Sequence, residues 1–474
     1  MPDATTYVGG RWSDPSGRRD VINPADGSVV GSVGYGRASD AIGAADAAAA
    51  AFGEWSGRPA RARADLLRAV SDALVARADD IGALLARETG KRRPEGVAEI
   101  RFAAEYFRWF GEQARRPQGE VIPNEIADRR HVTTRRPSGV AVCLTPWNFP
   151  VSIQARKIAA ALAAGCTVVS RASEKAPLAV VEMFRCLDAA GFPAGVANLV
   201  HGPAGELTEA LLAHPAVRVV SFTGSTEVGR QIMSLAAARI VRPALELGGD
   251  AAFIVFDDAD LDAAVEGALV AKFRNNGQSC IAANRFLVQD DVHDEFVDKL
   301  VTAVDAMTVG DPLADPVPDL GPLIDDARVQ AVDALVDDAV RGGAKRRTRE
   351  FALPDAGSYA APVLLTDVAD DARLATTEAF GPVAGVFRFA DEAAALARAN
   401  ATEMGLAGYL YSSDLRRAEW VSQRLEAGIV GINNALPSAA YAPMGGVKQS
   451  GLGREGSWEG LEEFQDIHYV ATAL

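Results

Sequence analysis

The stretch Val140-Ala141-Val142-Cys143-Leu144-Thr145-Pro146-Trp147-Asn148-Phe149-Pro150 decides the fold of this chain. Its first five residues are an apolar run of the length of a buried strand, and the two prolines then suppress helix and stiffen the loop. The same alternation continues, with strands at 167–170, 196–200 and 217–222 and helices at 153–163, 177–190 and 205–213. This pattern predicts a parallel sheet covered by helices on both faces, with ligands bound at the carboxyl ends of its strands.

A second alternation of the same kind begins after Gly249. Its predicted strands are 252–256, 285–288, 385–389, 408–411 and 428–432, and its helices are 261–273 and 292–307. Before the first alternation, short strands around 7–12 and 21–30 precede three predicted helices, the last at 95–113. We therefore expect an α/β protein with two doubly wound parallel-sheet domains: a Rossmann-like dinucleotide-binding domain at 1–118 and 139–248, and a catalytic domain at 249–448.

Two further segments alternate in an extended pattern and bury little of their own surface. They are 119–138 and 449–474, the second of which contains Phe464–Val470. Exposed ribbons of this kind often pair with another segment or another subunit. We interpret the two segments as a small β oligomerisation arm and expect a homodimer or homotetramer.

Composition excludes several classes of partner. The chain has 474 residues, 49% of them apolar and 23% charged, which is typical of a soluble globular protein with more than one core. Its net charge of −15 argues against nucleic acid or an anionic membrane, since both require a basic face. The four cysteines have no metal or redox spacing, and the first residues lack the features of a signal peptide, so we expect a cytoplasmic protein without a metal.

One cysteine stands in a stretch of its own, Phe273-Arg274-Asn275-Asn276-Gly277-Gln278-Ser279-Cys280. A thiol is a nucleophile only as thiolate, so a catalytic role needs a lowered pKa or an electrophile held beside it. No histidine is near in sequence to act as a base. This octet alone fits a buried structural cysteine equally well.

Three loops at predicted strand ends offer complementary groups. Asn148 stands where it could donate a hydrogen bond to an oxyanion. The stretch 222–229 opens a helix whose backbone N–H groups suit a diphosphate, although it lacks the P-loop lysine and the Rossmann glycine triplet. Glu246 precedes two glycines and, in an apolar setting, would have a raised pKa and act as a general base. Taken singly, two ordinary turns and a hinge glutamate explain these features as well.

Five motifs nevertheless occur together in one order: Thr-Pro-Trp-Asn-Phe-Pro, Phe-Thr-Gly-Ser-x-x-x-Gly, Leu-Glu-Leu-Gly-Gly, Asn-x-Gly-Gln-x-Cys and Glu-Ala-Phe-Gly-Pro-Val. This set resembles the NAD(P)-dependent aldehyde dehydrogenase family, over nearly the whole chain. The resemblance implies that family's fold and the oxidation of an aldehyde to a carboxylic acid through a cysteine thiohemiacetal and thioester, with hydride transfer to NAD(P).

The resemblance also implies residue roles. Cys280 corresponds to the nucleophile, Asn148 with the backbone N–H of Cys280 to the oxyanion hole, and Glu246 to the base that activates water. The family's cofactor-binding positions correspond to Thr145, Pro146, Trp147, Arg171, Ser173, Glu174, Phe222, Thr223, Gly224, Ser225, Leu247, Glu378 and Phe380.

One departure bears on the cofactor. Where the family usually has Lys-Pro, this chain has Arg171-Ala172, and a guanidinium is not equivalent to an ammonium. Glu174 would repel a 2′-phosphate, which favours NAD, while Arg171 leaves NADP open.

The substrate is indicated by Arg156 and Arg274, which stand where relatives acting on apolar aldehydes have apolar or aromatic residues. Their surroundings are similar to those of succinate-semialdehyde dehydrogenases, in which both arginines and a serine matching Ser438 hold the substrate carboxylate. We therefore expect succinate semialdehyde as substrate, with glutarate semialdehyde or a phosphonate-bearing aldehyde as alternatives. The alternative is a purely structural role, in which both arginines pair with acidic neighbours.

Two departures qualify the match to that subgroup. Ala282 occupies the place of a second, redox-active cysteine, so we expect no disulfide switch there, and the residues around Ser438 differ from the subgroup's pattern. Outside this class, the competing hypotheses are a cofactor-independent thiol esterase that uses Cys280 and Glu246, and a non-catalytic scaffold.

Overall fold

The first part of the chain contains two hairpins and four helices in a computed structural model that describes residues 5–116 and 119–474. The elements are β1 (Thr6–Val8), β2 (Arg11–Ser13), β3 (Gly17–Ile22), β4 (Val29–Tyr35), α1 (Ala38–Gly57), α2 (Ala60–Ala76), α3 (Ala78–Thr89) and α4 (Arg93–Gln113). The prediction of three helices here is wrong by one, because it lacks α3. Only Arg77 separates α3 from α2, so no glycine or proline marks the boundary.

The middle of the chain follows the predicted alternation closely. Its elements are β5 (Gly119–Ile122), β6 (Arg129–Pro137), β7 (Val140–Leu144), α5 (Pro150–Ala164), β8 (Thr167–Arg171), α6 (Leu178–Ala189), β9 (Ala197–Val200), α7 (Ala204–Ala213), β10 (Val217–Thr223), α8 (Thr226–Ala237) and β11 (Arg242–Glu246). Strands β7, β8 and β9 pair in parallel, as do β7, β10 and β11. The carboxyl ends of these strands therefore meet at one edge of the sheet, which is where the sequence predicts ligand binding.

The last part forms the second alternation and the C-terminal segment. Its elements are β12 (Ala251–Val255), α9 (Leu261–Phe273), β13 (Ala283–Gln289), α10 (Asp290–Asp305), α11 (Asp326–Arg341), β14 (Lys345–Arg346), β15 (Val363–Thr366), α12 (Arg373–Thr376), β16 (Val383–Phe389), α13 (Glu392–Asn400), β17 (Ala407–Tyr411), α14 (Leu415–Ser422), β18 (Ile429–Ile432), β19 (Gly451–Leu452), α15 (Glu459–Glu462) and β20 (Gln465–Ala473). Every strand predicted here is present, and the predicted helices are α9 and α10.

Two large sheets organise the described residues. The first has eight strands in the order β19-β11-β10-β7-β8-β9-β1-β2, and the second has seven in the order β14-β15-β16-β13-β12-β17-β18. The fold class is as predicted, a mixed α/β structure with two parallel-sheet units. Antiparallel strands β1, β2 and β19 extend the first sheet and β14 extends the second, which the sequence pattern did not distinguish.

A separate three-stranded sheet has the order β20-β6-β5. Strand β20 pairs with β6 along its whole length, from Gln465 opposite Pro137 to Ala473 opposite Arg129. The predicted pairing of the two extended segments is thus present. The predicted domain limits remain a prediction, with one difference at the level of sheets: β19 lies inside the segment assigned to the arm but pairs with β11 in the first sheet.

Helices on both faces of the first sheet bury every residue of its strands β7, β8 and β9. Every residue of α5 is buried, because the helix lies between the sheet and helices α2 and α4. No helix in the described ranges is long and apolar enough to cross a bilayer.

Candidate active site

Cys280 follows α9 through a turn of three consecutive left-handed residues. Asn275, Asn276 and Gly277 have φ angles of 54°, 58° and 76°. Asparagine is one of the few side chains that adopt this conformation, which costs most residues roughly 1–2 kcal/mol. At Gly277 a Cβ would lie 2.2 Å from the carbonyl oxygen of Gly381, so only glycine fits. We refer to residues 274–280 as the nucleophile turn.

Side-chain hydrogen bonds hold the nucleophile turn in place. The Asn276 amide nitrogen donates to the carbonyl oxygens of Gly90 at 3.2 Å and Pro322 at 2.8 Å, and its oxygen accepts from the backbone of Gly321 at 2.8 Å. The turn is therefore tied to the end of α3 and to the loop before α11, two segments far apart in the chain. Several hydrogen bonds of this kind together keep a strained backbone in one conformation.

Asn148 lies against the nucleophile turn, as an oxyanion-hole role requires. Its Nδ2 donates to the carbonyl oxygen of Gln278 at 3.2 Å, two residues before Cys280. Its own carbonyl oxygen accepts from Asn275 Nδ2 at 3.1 Å. Because an amide nitrogen carries two hydrogens, one remains for an oxyanion formed at Cys280.

Glu246 is the last residue of β11 and is only 3% exposed. Neither of its carboxylate oxygens has a hydrogen-bond partner among the described residues. Burial, followed by the nearby charge of Glu455, raises its pKa well above the usual range, while Lys157 and Arg156 oppose the rise. Because a raised pKa makes the ionised carboxylate a stronger base, this setting suits a general base.

Cys280 is the one cysteine of the four that is partly exposed, and the other three are buried. Burial raises the pKa of its thiol to about 12, with contributions from Glu378 and Glu246, and Arg156 acts in the opposite direction. The thiol therefore keeps its proton at neutral pH in this state. Its activation has to be coupled to the addition of an electrophile, with the proton leaving as the new bond forms.

The loop after Glu246 packs directly against the nucleophile turn. A Cβ at Gly249 would lie 2.2 Å from the carbonyl oxygen of Cys280, and one at Gly248 would lie 2.9 Å from Glu378 Oε2. The Gly249 N–H donates to Glu378 Oε1 at 3.4 Å. Burial raises the pKa of Glu378 to about 8. The two glycines thus bring the predicted base, the nucleophile and one cofactor-binding carboxylate together.

Most of the remaining predicted cofactor residues lie at the carboxyl ends of strands in the first sheet, whereas Phe380 lies in the loop before β16 of the second sheet. Trp147 stacks edge-on against Phe380, with ring centroids 5.4 Å apart. Ser225 caps α8, with its Oγ accepting from the Val228 N–H at 3.4 Å. Phe222 and Thr223 end β10, and the loops after β7, β10 and β11 contain Thr145, Pro146, Gly224 and Leu247. The Thr223 hydroxyl has no partner among the described residues.

A second group of predicted cofactor residues follows β8. Arg171 forms an ion pair with Glu174 and donates to the carbonyl oxygen of Gly202 at 3.1 Å. The Ser173 hydroxyl accepts from the Lys175 backbone at 3.3 Å. Burial tends to raise the pKa of Glu174, but Arg171 and a backbone N–H outweigh it, so the pKa is lowered. Two carboxylates, Glu174 and Glu378, together with the N-terminus of α8 and the Thr223 hydroxyl, are the kinds of group that bind the riboses and the diphosphate of a dinucleotide.

Arg156 and Ser438 are brought together, with Met444 between them. Arg156 Nη1 contacts Met444 Sδ and lies 3.2 Å from Glu455 Oε2, and its guanidinium stands 5.1 Å from the centre of the Tyr106 ring. Ser438 Oγ lies 3.8 Å from the same Sδ. The alternative that the arginines pair with acidic neighbours and have a structural role therefore holds in part for Arg156, because a buried carboxylate already neutralises much of its charge.

Arg274 is in a different state. Its guanidinium lies over the Phe149 ring, 5.2 Å from the centroid, and no carboxylate lies within ion-pair distance of it in the parts of the chain that the structure describes. It is partly exposed. An unpaired guanidinium beside residues 145–149, the loop that carries Asn148 and that we refer to as the oxyanion loop, is free to meet an anion.

Sequence reasoning assigned no role to Lys157 or Glu455. Lys157 Nζ forms an ion pair with Glu455 and donates to Ser221 Oγ at 3.0 Å, deep under Glu246. Lys157 adjoins Arg156 in the sequence and Glu455 is part of Gly-Arg-Glu-Gly, so both were visible. Nothing in the sequence alone pairs residues 298 positions apart.

The chain is similar to known proteins over nearly its whole length. The aldehyde dehydrogenase family model matches residues 12–470. The chain is 45% identical to the glutarate-semialdehyde dehydrogenase of Pseudomonas aeruginosa, over 98% of this chain and 96% of that protein. It is also 45% identical to the NADP(+) succinate-semialdehyde dehydrogenase of Escherichia coli, over 98% and 97% of the two chains, and 41% identical to a 3-sulfolactaldehyde dehydrogenase of Pseudomonas putida, over 98% and 96%.

The fold agrees with solved structures as well. A crystal structure of succinate-semialdehyde dehydrogenase from Burkholderia pseudomallei superposes with a TM-score of 0.97 at 42% identity, covering 99% of this chain and 98% of that one.

The contact between Gly249 and Cys280 gives a direct test of the site. In Gly249→Ala the new Cβ would overlap the Cys280 carbonyl, so the nucleophile turn must shift. Because a displacement of about 1 Å in a reacting group can lower the rate roughly 100-fold, we expect a loss of that order in kcat for aldehyde oxidation, followed as NAD(P)H absorbance.

Gly43→Ala is the matched control. Gly43 is exposed within α1, and a Cβ there meets nothing within 4 Å. This variant should keep its kcat and gain about 0.5–1 kcal/mol in free energy of unfolding. A Gly249→Ala enzyme with unchanged kcat would contradict the assigned geometry.

Proposed function

Because the chain belongs to the aldehyde dehydrogenase family, we propose that it oxidises succinate semialdehyde to succinate with NAD as the hydride acceptor. The observation that carries the choice of substrate is Arg274, the first residue of the nucleophile turn, whose guanidinium has no acidic partner among the described residues. Relatives named for succinate semialdehyde, glutarate semialdehyde and 3-sulfolactaldehyde support it, since all three names describe a short aldehyde with an anionic end.

The proposed reaction begins at Cys280. Its Sγ adds to the aldehyde carbon, and the thiol proton passes to water as the carbon–sulfur bond forms, because a free thiolate is disfavoured at this site. The oxygen becomes an oxyanion that accepts hydrogen bonds from Asn148 Nδ2 and the backbone N–H of Cys280. NAD, when bound, supplies the acceptor for the hydride of this carbon. Glu246 then takes a proton from water, which attacks the thioester on Cys280 and releases the acid.

The residues that would hold the cofactor form three groups. Arg171, Ser173 and Glu174 would contact the adenine ribose, and Ser225 at the start of α8 would lie at the diphosphate. Glu378, with Phe380 and Trp147 beside it, would hold the nicotinamide ribose. The hydrogen-bonding groups of this groove, rather than a metal, would fix the dinucleotide.

The preference for NAD rests on Glu174. Its carboxylate has a lowered pKa and is therefore charged at neutral pH, where it would repel a 2′-phosphate. Its ion pair with Arg171 leaves that guanidinium less available to a phosphate. NADP remains the alternative, because the Escherichia coli relative carries NADP(+) in its name.

Exposed apolar residues support assembly through the arm formed by β5, β6 and β20. Val121 and Ile126 are each 68% exposed, and Ile467 is 66% exposed. Strands β5 and β20 are the free edges of this sheet, and β18 is a free edge of the second large sheet. Free edges and exposed apolar side chains are both liabilities for a monomer, so we propose a homodimer or homotetramer in which partner subunits cover them.

A panel of aldehydes with both cofactors tests the proposed activity. We expect the highest kcat/KM with succinate semialdehyde and NAD, measured as absorbance at the reduced nicotinamide, and complete loss of that signal in Cys280→Ala. Faster turnover of a neutral aldehyde such as butanal would contradict the carboxylate assignment. A higher kcat/KM with NADP would contradict the cofactor preference alone.

The two arginines give a second, paired prediction. Arg274→Leu should raise the KM for succinate semialdehyde at least roughly tenfold and leave that for butanal nearly unchanged, because a buried contact to a charge contributes ~2–5 kcal/mol. Arg156→Leu should change the ratio of the KM for succinate semialdehyde to the KM for butanal less than Arg274→Leu does, because Glu455 already holds the Arg156 guanidinium. It should also lower the stability of the fold, because the Glu455 carboxylate is left partly unpaired. Equal effects of the two substitutions on the KM ratio would contradict this division.

The assembly can be tested by sedimentation equilibrium. Replacing Val121 and Ile126 with aspartate should shift the protein to a smaller species, because the charges would be buried at the interface. Leu415→Asp is the control, since Leu415 is 83% exposed but lies on α14, away from the arm. A monomeric wild-type protein would overturn the proposal.

A further inference from the structure

One face of α4 contacts both halves of the active site. Glu95 and Glu99 are four residues apart and therefore share this face. Glu95 Oε1 accepts from the backbone N–H of Asn275 in the nucleophile turn at 3.0 Å. Glu99 Oε1 accepts from the N–H groups of Val151 at 3.0 Å and Ser152 at 3.2 Å, at the start of α5.

Glu99 on α4 caps the N-terminus of α5, which has no cap of its own. Phe149 precedes the helix and offers no side-chain acceptor, so the first N–H groups of α5 depend on the distant carboxylate of Glu99. Since the oxyanion loop leads directly into α5, the position of this loop depends on α4.

Lys91, just before α4, completes the arrangement. It is fully buried, and its ammonium group has three N–H donors. It forms an ion pair with Glu99, donates to the carbonyl oxygen of Asn148 at 2.7 Å, and stands 4.4 Å from the centre of the Phe149 ring. A buried ammonium is costly unless each donor is satisfied, and here a carboxylate, a carbonyl and an aromatic face satisfy all three.

Two donors thus hold the backbone of Asn148 from different sides. Lys91 Nζ and Asn275 Nδ2 both donate to its carbonyl oxygen, at 2.7 and 3.1 Å. Fixing that peptide group fixes the direction of the Asn148 side chain, whose amide must point at an oxyanion to within a few tenths of an ångström. Lys91 touches neither Cys280 nor Arg274 in any described contact.

We propose that Lys91 is a positioning residue for the oxyanion hole and acts on catalysis through Asn148. The proposal rests on the proposed function, in that it takes Asn148 as the donor to the oxyanion. In this role Lys91 differs from residues that only stabilise the fold, because its loss would affect catalysis through Asn148. Its expected signature is a loss in kcat without a change in the KM for the cofactor.

A double-mutant cycle tests the proposal. Removing an oxyanion donor lowers kcat roughly 100- to 1,000-fold, so we expect Asn148→Ala to lose activity in that range and Lys91→Met to lose at least roughly tenfold. Because both act through one amide, Lys91→Met combined with Asn148→Ala should be no slower than Asn148→Ala alone. Multiplied losses in the double variant, or an unchanged kcat in Lys91→Met, would overturn the proposal.

Glu88→Gln is the matched control. Glu88 caps α6 just as Glu99 caps α5, accepting from Leu178 N–H at 2.8 Å and Ala179 N–H at 2.9 Å, but it does not contact Asn148. Burial raises the pKa of Glu88 to about 8, so glutamine changes its charge little at neutral pH. This variant should lower the melting temperature and keep its kcat. A parallel loss of kcat in Glu88→Gln would show a general packing effect and overturn the specific role of Lys91.

Two measurements keep the test independent of folding and of the substrate assignment. Glu99→Gln keeps the side-chain volume and removes the charge that pairs with Lys91, so it should reproduce the kcat loss if Lys91→Met does not fold. Hydrolysis of p-nitrophenyl acetate without cofactor acylates the same thiol and develops the same oxyanion. The cycle should give the same non-additive pattern in this assay even if succinate semialdehyde is not the substrate. If the wild-type enzyme and Asn148→Ala hydrolyse p-nitrophenyl acetate at the same rate, the proposal is overturned.

Discussion

The backbone of Gly249 lies against the carbonyl group of Cys280, and the geometry of the whole site depends on this contact. A side chain at 249 would meet that carbonyl at 2.2 Å, so glycine alone allows the approach. Gly277, on the other side of Cys280, is confined in the same way by Gly381. The nucleophile is thus clamped between two close backbone contacts, and its place relative to Glu246 follows from the lengths of the connecting segments. Few side-chain interactions could hold a thiol to that precision.

The second constraint is the burial of charge around this clamp. Burial raises the pKa of Glu246 and of Glu378 and lowers that of Lys272 to about 7, so these groups favour their neutral forms more than in water. A site with few free charges and little water has a low effective dielectric constant. Each remaining interaction is then stronger, including the hydrogen bonds to a developing oxyanion and the field of an unpaired arginine. Glu455 fits this scheme, because its single carboxylate pairs with both Arg156 and Lys157 and offsets one of their two positive charges.

Most of the fold was predictable because it depends on local patterns. Valine-rich runs such as Val140–Leu144 could only be buried strands, and the helices between them had clear boundaries. The helix α3 was missed because Arg77 alone separates it from α2. The antiparallel strand β19 was missed because a strand of two residues is too short to show a hydrophobic periodicity. The site was predictable to the extent that its residues stand in contiguous motifs. Pairings across hundreds of residues, such as Arg156 with Glu455 or Lys91 with Asn148, depend on packing that no local pattern encodes.

In the proposed reaction, the residues that would carry the chemistry are held in a different way from the residue that would select the substrate. Cys280, Asn148 and Glu246 are placed by glycines, strand ends and buried hydrogen bonds, and a change in any of these would disturb the reaction for every aldehyde. Arg274 is held by one aromatic contact and has no ion pair among the described residues, so it can be exchanged or redirected with little effect on the fold. Relatives that are 41–45% identical to this chain carry names for aldehydes that end in a carboxylate one methylene longer or in a sulfonate. Such a range is expected when one anchored reaction centre is combined with an anion site whose distance from the thiol is set by side chains alone, since side chains change far more readily than a clamped backbone.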